Sequence, residues 1–351
     1  MPAGQPWSST STPWRGLSAA LALYLDIKVS GHVLRVTAGV GVAIKQGRGS
    51  TSTLIGNADS ALSHAKDAGI GQYRLYDAQM RRQVEDRLVI QGGLRLALSM
   101  GHLRIAYQPI VSLADRRMIG SEALLRWTHP ERGPISPAEF IPIAEQSGLI
   151  VPMGQWVMNT ACGDIRSVHR DHGIDVSVNV SVRQLTGGRF ADWVEEILGR
   201  TGLPPYALTV EVTESALMDD IGSIRTAFDR LRAAGVTVAI DDFGTGYSSL
   251  ARLQLPVDVI KLDRAFVTGV DVRAEARDMA AAILQLSAAI GADMLAEGVE
   301  TEAEAATLLD LGYTAAQGFL FVAPMPIEEL RARLAADAAT TLPVGPRLRI
   351  A

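Results

Sequence analysis

Two adjacent carboxylates, Asp241-Asp242, end an apolar run over residues 236–240 and lead into the glycine-bearing stretch Phe243-Gly244-Thr245-Gly246-Tyr247-Ser248-Ser249-Leu250. Bounded by Gly235 and Gly244, the run reads as a buried parallel strand that delivers acids to a loop. Side chains alternate across a strand, so both acids can face one site only if the strand ends there. An acid before a turn also serves as a helix N-cap, and an isolated Asp-Asp pair would read that way. Other apolar runs, however, carry polar residues in the same relative place. Glu122 and Asn179 lie in two of them, Glu211 and Glu214 end a third, Lys261 ends a fourth, Glu297 ends a fifth, and Gln317 precedes the last.

Each of these has a bland alternative, Asn179 as a satisfied core amide and Lys261 as the partner of a nearby carboxylate. Gathered around one axis without cations, the carboxylates would cost several kcal/mol for each unpaired charge. Oxygen donors from Asp, Glu and Asn, with no Cys or His among them, select Mg²⁺ or Mn²⁺ over Zn²⁺. The neighbouring acids Asp241 and Asp242 suit two ions, one of them bridged or shared.

Positioning such a cluster requires strands that converge. From residue 103 onward, strand-like segments are predicted at 104–113, 118–127, 175–182, 208–213, 236–241, 257–262, 293–297 and near 318–322. Helical patterns fall between most of them, at 137–146, 153–170, 190–199, 221–234, 274–290 and 303–311. This is the arithmetic of an α/β chain closing into a TIM-like (β/α)8 barrel, in which catalytic groups sit at the C-terminal ends of the strands. Only Ala114-Asp115-Arg116-Arg117 joins the first two strands, too few residues for a helical crossover, so that pair should be antiparallel. A charged amphipathic helix over 81–97, with Asp86, Arg87 and Arg95 on its exposed side, reads as a linker from a small N-terminal α+β unit, with the boundary near residue 85. There, a buried helix is expected over 17–25, a strand over 34–44, a helix over 57–69 and a strand over 72–76. Residues 1–15 and the tail after about 335 read as loose.

Composition narrows the partners. The 351 residues are 48% hydrophobic and 20% charged, and Lys plus Arg (33) against Asp plus Glu (38) gives a net charge of -5. Nothing there points to duplex nucleic acid or an anionic membrane, and an anionic substrate would need metal ions to supply positive charge. Aromatic residues at 5% argue against a stacking surface for single strands. The single cysteine, Cys162, is compatible with a reducing cytoplasm and excludes a disulfide framework. No stretch approaches 18 consecutive apolar residues, so the chain is expected to be soluble, cytoplasmic and without required membrane contact.

The ordered motifs Tyr107-Gln108-Pro109-Ile110-Val111, Glu122-Ala123-Leu124-Leu125-Arg126-Trp127, Asn179-Val180-Ser181, Glu211-Val212-Thr213-Glu214, Asp241-Asp242-Phe243-Gly244, Lys261-Leu262-Asp263, Ala296-Glu297-Gly298-Val299-Glu300 and Gln317-Gly318-Phe319 resemble the signatures of the EAL domain over about residues 90–335. That resemblance implies a phosphodiesterase linearising the bacterial second messenger cyclic di-GMP to pGpG. It implies that Glu122, Asn179, Glu211, Asp241 and Asp242 hold two metals, with Glu297 in the same cluster. Lys261 would bind and help activate the attacking water, and Gln317 would orient it. Gln108, Glu122, Leu125, Arg126 and Asp263 would contact substrate, Arg126 at a phosphate, and Glu214 would hold the loop 243–250 in place. It also implies a homodimer through helices beside that loop. Thr314, Phe319 and Ala323 depart from common family residues, none of them a metal ligand.

Residues 16–80 resemble the C-terminal half of a GGDEF diguanylate cyclase domain, in Thr37-Ala38-Gly39-Val40-Gly41-Val42-Ala43 and Ala58-Asp59-Ser60-Ala61-Leu62-Ser63-His64-Ala65-Lys66-Asp67-Ala68-Gly69. That family's phosphate loop and metal acids are missing, so residues 1–85 would be a remnant unable to cyclise GTP. The alternative for the whole is an inert receptor that binds cyclic di-GMP and signals through a protein partner. The complete ligand set favours the enzyme.

Overall fold

In the computed structural model the described residues are 24–29, 32–44, 50–67, 71–186, 188–218, 221–244 and 255–340. They form two compact units, Met1–Ile90 and Gln91–Ala351, divided inside the helix Ala78–Met100.

In the first unit, β1 (Tyr24–Val29) and β2 (His32–Thr37) pair antiparallel. β3 (Val40–Val42) and β4 (Tyr73–Leu75) pair in parallel, with α1 (Thr51–Asp67) between them in sequence. The glycine-bearing strand expected over 34–44 is thus two strands with different partners. Gly41 is required because α1 lies against it: a Cβ there would stand 2.1 Å from the Ala58 carbonyl oxygen. Of the helix expected over 17–25, Tyr24 and Leu25 belong to β1 and the rest lies outside the described residues.

The second unit follows α2 (Ala78–Met100) and is an eight-stranded closed barrel. Its strands are β5 (Leu103–Ser112), β6 (Met118–His129), β8 (Asp175–Asn179), β9 (Leu208–Thr213), β10 (Thr237–Phe243), β11 (Val259–Leu262), β12 (Asp293–Ala296) and β13 (Ala315–Ala316). The short β7 (Gly133–Ile135) hangs on β6. As the short connection requires, β5 runs antiparallel to β6, and also to β13, while the other barrel pairs are parallel. The barrel is therefore TIM-like with one reversed strand.

Around it lie α3 (Pro137–Ser147), α4 (Ile150–His172), the short α5 (Val182–Leu185), α6 (Phe190–Thr201), α7 (Ile221–Ala233), α8 (Arg264–Val267), α9 (Ala274–Ile290), α10 (Glu302–Leu311) and α11 (Ile327–Thr340). α11 continues past residue 335, where a loose tail was expected, and residues 341–351 lie outside the described residues. Cys162 is buried in α4, as a small apolar residue would be.

The last strand corrects an expectation. It is Ala315–Ala316, and residues 318–322 form a turn in which the Phe321 and Val322 N–H groups both donate to the Gly318 carbonyl. Gly318 cannot carry a side chain, because a Cβ would meet the Val299 carbonyl oxygen at 2.1 Å. Gln317 therefore follows its strand instead of preceding it. That places it at the C-terminal end, with the other candidates.

Two apolar layers hold the barrel. The larger core fills the space between strands and helices, from Val176, Val210 and Ile260 out to Phe190, Phe228 and Leu308. A small inner cluster of Ile110, Ala239, Val259, Leu295 and Ala315 fills the barrel axis. Two residues further along, Asp241 follows Ala239, Lys261 follows Val259, Glu297 follows Leu295 and Gln317 follows Ala315. With period-two alternation, the polar site is the next layer above an apolar plug.

Candidate active site at the C-terminal end of the barrel

Lys261 is the centre of the arrangement. Fully buried on β11, its Nζ stands 2.7 Å from Glu211 Oε2 on β9 and 2.7 Å from Glu297 Oε1 just after β12. It is also 3.3 Å from Glu122 Oε2 on β6 and 3.3 Å from Asp241 Oδ1 on β10. Burial alone would strip its proton, but Asp241, Glu122, Glu211 and Glu297 together hold its pKa well above the ordinary lysine value. The sequence left the sign open; the carboxylates win, and Lys261 is an ammonium.

Amides tie the ring together. Asn179 Nδ2, at the end of β8, donates to Glu122 Oε1 at 2.6 Å. Gln317 Nε2 donates to Glu122 Oε2 at 2.7 Å and to Glu297 Oε1 at 2.9 Å, while its own Oε1 is buried without a partner. Burial works against the Glu122 carboxylate, but Lys261 and the amides of Gln317 and Asn179 hold its pKa below the usual range.

The pleat problem posed by Asp241-Asp242 is solved by a bulge. Between β10 and β11, Ile240 pairs with Ile260 and Phe243 with Leu262, so β10 carries one extra residue. Asp242 takes φ 54, in the left-handed region, and its N–H donates to Asp241 Oδ1 at 2.9 Å. The strand thus continues to Phe243 while both acids reach the site. Beyond it, Gly244 has φ 97 and its N–H donates to Oε2 of the buried Glu214 at 2.8 Å. Residues 245–254 lie outside the described residues.

The remaining candidates surround this ring. Gln108 is half-buried on β5, directly opposite Glu122 in register. Arg126 is half-buried near the end of β6, its Nη1 donating to the Leu125 carbonyl at 3.0 Å, and Leu125 packs partly buried against the main core. Asp263 spends one oxygen on capping α8, Oδ1 accepting the Ala265 N–H at 2.8 Å. A substrate contact was expected there, and the structure adds this structural role.

Two groups of carboxylate oxygens, Glu122/Glu211/Asp241 and Asp241/Asp242/Glu297, each lie within 4.8 Å of one another and share Asp241. These all-oxygen triads fit hard divalent cations, two of them, and poorly fit zinc. The acids also show what cations would relieve. Burial pushes Glu211 up to about 8, with Lys261 opposing and Glu122 and Asp241 adding. Burial and the Asp241 carboxylate push Asp242 up to about 6. Burial likewise lifts Glu297 well above its usual value. One ammonium does not neutralise this many carboxylates.

A stability prediction follows from the sign of those shifts. Acids whose folded pKa lies above the unfolded one bind more protons folded than unfolded, so stability falls as pH rises through the interval between the two values. With chelator present, the melting temperature should drop from about pH 5 to about pH 8, and excess Mg²⁺ should flatten the drop, because cations replace the protons. A melting temperature rising over that window in chelator would contradict the cluster.

Sequence reading assigned no role to two buried polar groups of the barrel unit. Tyr107, fully buried beside Gln108, donates from its hydroxyl to Asp164 Oδ2 at 2.7 Å. Glu304 closes a capping box with Thr301 after Glu297; the pattern Thr301-Glu302-Ala303-Glu304 carried that signal.

The family model of the EAL domain matches residues 92–324. A bifunctional diguanylate cyclase/cyclic di-GMP phosphodiesterase, MucR of Pseudomonas aeruginosa, is 40% identical over 314 residues, 88% of this chain and 46% of that protein. The cyclic di-GMP phosphodiesterase NbdA of the same species is 38% identical over 90% of this chain and 41% of its own length. The chain spans about half the length of the first of these relatives. Among solved structures, a MucR phosphodiesterase in complex with c-di-GMP superposes with a TM-score of 0.65 at 41% identity, covering 69% of this chain and 99% of that one. The EAL enzyme Bd1971, bound to cAMP and cyclic di-GMP, gives 0.68 at 31% identity over 73% of each chain.

Proposed function

Because the chain belongs to the EAL domain family, we propose that it hydrolyses cyclic di-GMP to linear pGpG at the Lys261 cluster with two divalent cations. The observation that carries the reading is the pair of carboxylate triads sharing Asp241, with an ammonium between them at the strand ends. Relatives named as cyclic di-GMP phosphodiesterases support it. An inert receptor would be expected to lack ligands, and here Glu122, Asn179, Glu211, Asp241, Asp242 and Glu297 all surround one site.

Mg²⁺ or Mn²⁺ held by those six residues would neutralise phosphate charge and lower the pKa of the attacking water. The chain's own groups do the rest. Lys261 donates a hydrogen bond to that water and keeps the carboxylates from repelling one another. Gln317 orients the same water through its unpartnered Oε1. Arg126 binds a substrate phosphate, with Gln108, Leu125 and Asp263 as further substrate contacts, and Glu214 fixes the loop that begins at Gly244. The protein acts as a homodimer through the barrel, in the cytoplasm.

Purified protein incubated with cyclic di-GMP and Mg²⁺ should give pGpG, resolved by chromatography. Bound but unconverted cyclic di-GMP would favour the receptor. Ca²⁺ should occupy the site, fail to support turnover and inhibit the Mg²⁺ enzyme, since its longer, looser coordination misplaces the nucleophile; equal rates would count against a strict two-cation geometry.

Residues 1–85 are cyclase-like in this reading, supported by an alignment to a bifunctional diguanylate cyclase/cyclic di-GMP phosphodiesterase that runs beyond residues 92–324 to cover 88% of the chain. With no phosphate loop in the sequence, the chain should make no cyclic di-GMP from GTP with any divalent ion; detecting that product would overturn the assignment.

A further inference from the structure

Two consecutive strand-to-helix connections flank the contact between Lys261 on β11 and Glu297, one after β11 and one, beginning with Glu297, after β12. Both are tied to one buried carboxylate. Glu304, in the first turn of α10, is 6% exposed. Its Oε1 accepts the Gly269 N–H at 3.0 Å, and its Oε2 accepts the N–H groups of Glu300 at 3.0 Å and Thr301 at 3.1 Å.

Capping α10 needs only the Thr301 contact, together with the Glu304 N–H bond to Thr301 Oγ1 at 3.1 Å. The other two bonds reach beyond the helix. Gly269 belongs to the connection that follows β11, the strand carrying Lys261, and passes through α8. Glu300 belongs to the connection after β12, which starts from Glu297. The two connections meet again where Arg264 Nη2 pairs with Glu300 Oε1 at 2.8 Å and where the Arg264 side chain covers Gly298, a Cβ at Gly298 standing 2.6 Å from it. Glu297 itself is held by its N–H on the Leu262 carbonyl at 3.0 Å, and Val299 by its N–H on the Gln317 carbonyl at 3.1 Å. The second half of the connection, Glu300 and Thr301, hangs on Glu304.

We propose that Glu304 is a positioning residue whose carboxylate locks the two connections together and so fixes Glu297 where it completes the cation cluster. The inference rests on the reading of that cluster as a divalent-cation centre. An outer partner of this kind typically accounts for about 10- to 100-fold in metal affinity or activity.

The test uses the full chain, calorimetric titration with Mn²⁺ alone, and turnover of cyclic di-GMP against Mg²⁺ concentration. Glu304→Ala should weaken Mn²⁺ binding about tenfold and shift the Mg²⁺ midpoint by a similar factor. Thr301→Ala removes the cap hydroxyl but keeps the bridge to Gly269, and should leave both readouts near wild type. Glu304→Gln cannot accept from both sides, so it should fall between. Unchanged Mn²⁺ binding in Glu304→Ala, or an equal loss in Thr301→Ala, would reduce Glu304 to a helix cap and overturn the proposal. If Glu304→Ala does not fold, Glu304→Gln decides: weakened Mn²⁺ binding supports the lock and wild-type binding sinks it. A wild-type chain that binds Mn²⁺ without hydrolysing cyclic di-GMP would end the phosphodiesterase reading, while the Mn²⁺ comparison would still judge Glu304.

Discussion

Glu122→Ala should abolish cyclic di-GMP hydrolysis while leaving the barrel folded. Glu122 bonds to Asn179, to Gln317 and to Lys261, and it belongs to one of the two carboxylate triads. Unlike Glu211, Asp242 and Glu297, it is held below the usual carboxylate range, so it offers a formal charge to a cation without first losing a proton. Alanine deletes that charge, frees the Asn179 amide from its Glu122 contact and leaves Gln317 only its bond to Glu297, so the loss should exceed the roughly 100-fold that an outer partner can cost. The fold should survive, because Lys261 keeps Glu211, Asp241 and Glu297. Turnover above about a tenth of wild type would refute the assignment of Glu122 as a ligand.

Lys261→Met should separate chemistry from binding. It keeps every carboxylate and Arg126, and removes the ammonium with its four carboxylate contacts and its proposed hydrogen bond to the attacking water. Turnover should fall by about two orders of magnitude or more while cyclic di-GMP affinity changes little. The buried ion pairs add a second readout. In chelator the variant leaves its carboxylates uncompensated, a cost on the order of 3 kcal/mol for breaking a buried pair. Excess Mg²⁺ should therefore raise its melting temperature more than that of the wild type. A lysine that only balances charge predicts intact or improved turnover once metal saturates. Single-turnover rates and direct binding on the same variant decide between the two.

The acids were legible in the sequence because each ends or lies within an apolar run, and parallel barrel strands all point their C-terminal ends the same way. The reversed β5 was legible too, from the shortness of Ala114-Asp115-Arg116-Arg117. Three things were not. The bulge at Asp241-Asp242 depends on the register against β11, which no local pattern records. The length of β13 is set by Gly318 lying against the Val299 backbone, a contact between distant segments, so the hydrophobic pattern placed the strand too late. The charge state of Lys261 is a sum over four strands and could only be read once their side chains converged.

Asp242 sits at φ 54, where a residue with a Cβ costs on the order of 1 kcal/mol more than glycine. Replacing it by glycine should therefore relax the backbone and harden the barrel against heat, at the expense of a carboxylate in the candidate cation cluster. A library sorted on thermal resistance alone would drift toward glycine at this position and return well-folded, inactive proteins. In an engineered lineage, a rise in melting temperature accompanied by a change at 242 would thus be a warning sign, and position 242 is the one to hold fixed before any stabilising campaign begins.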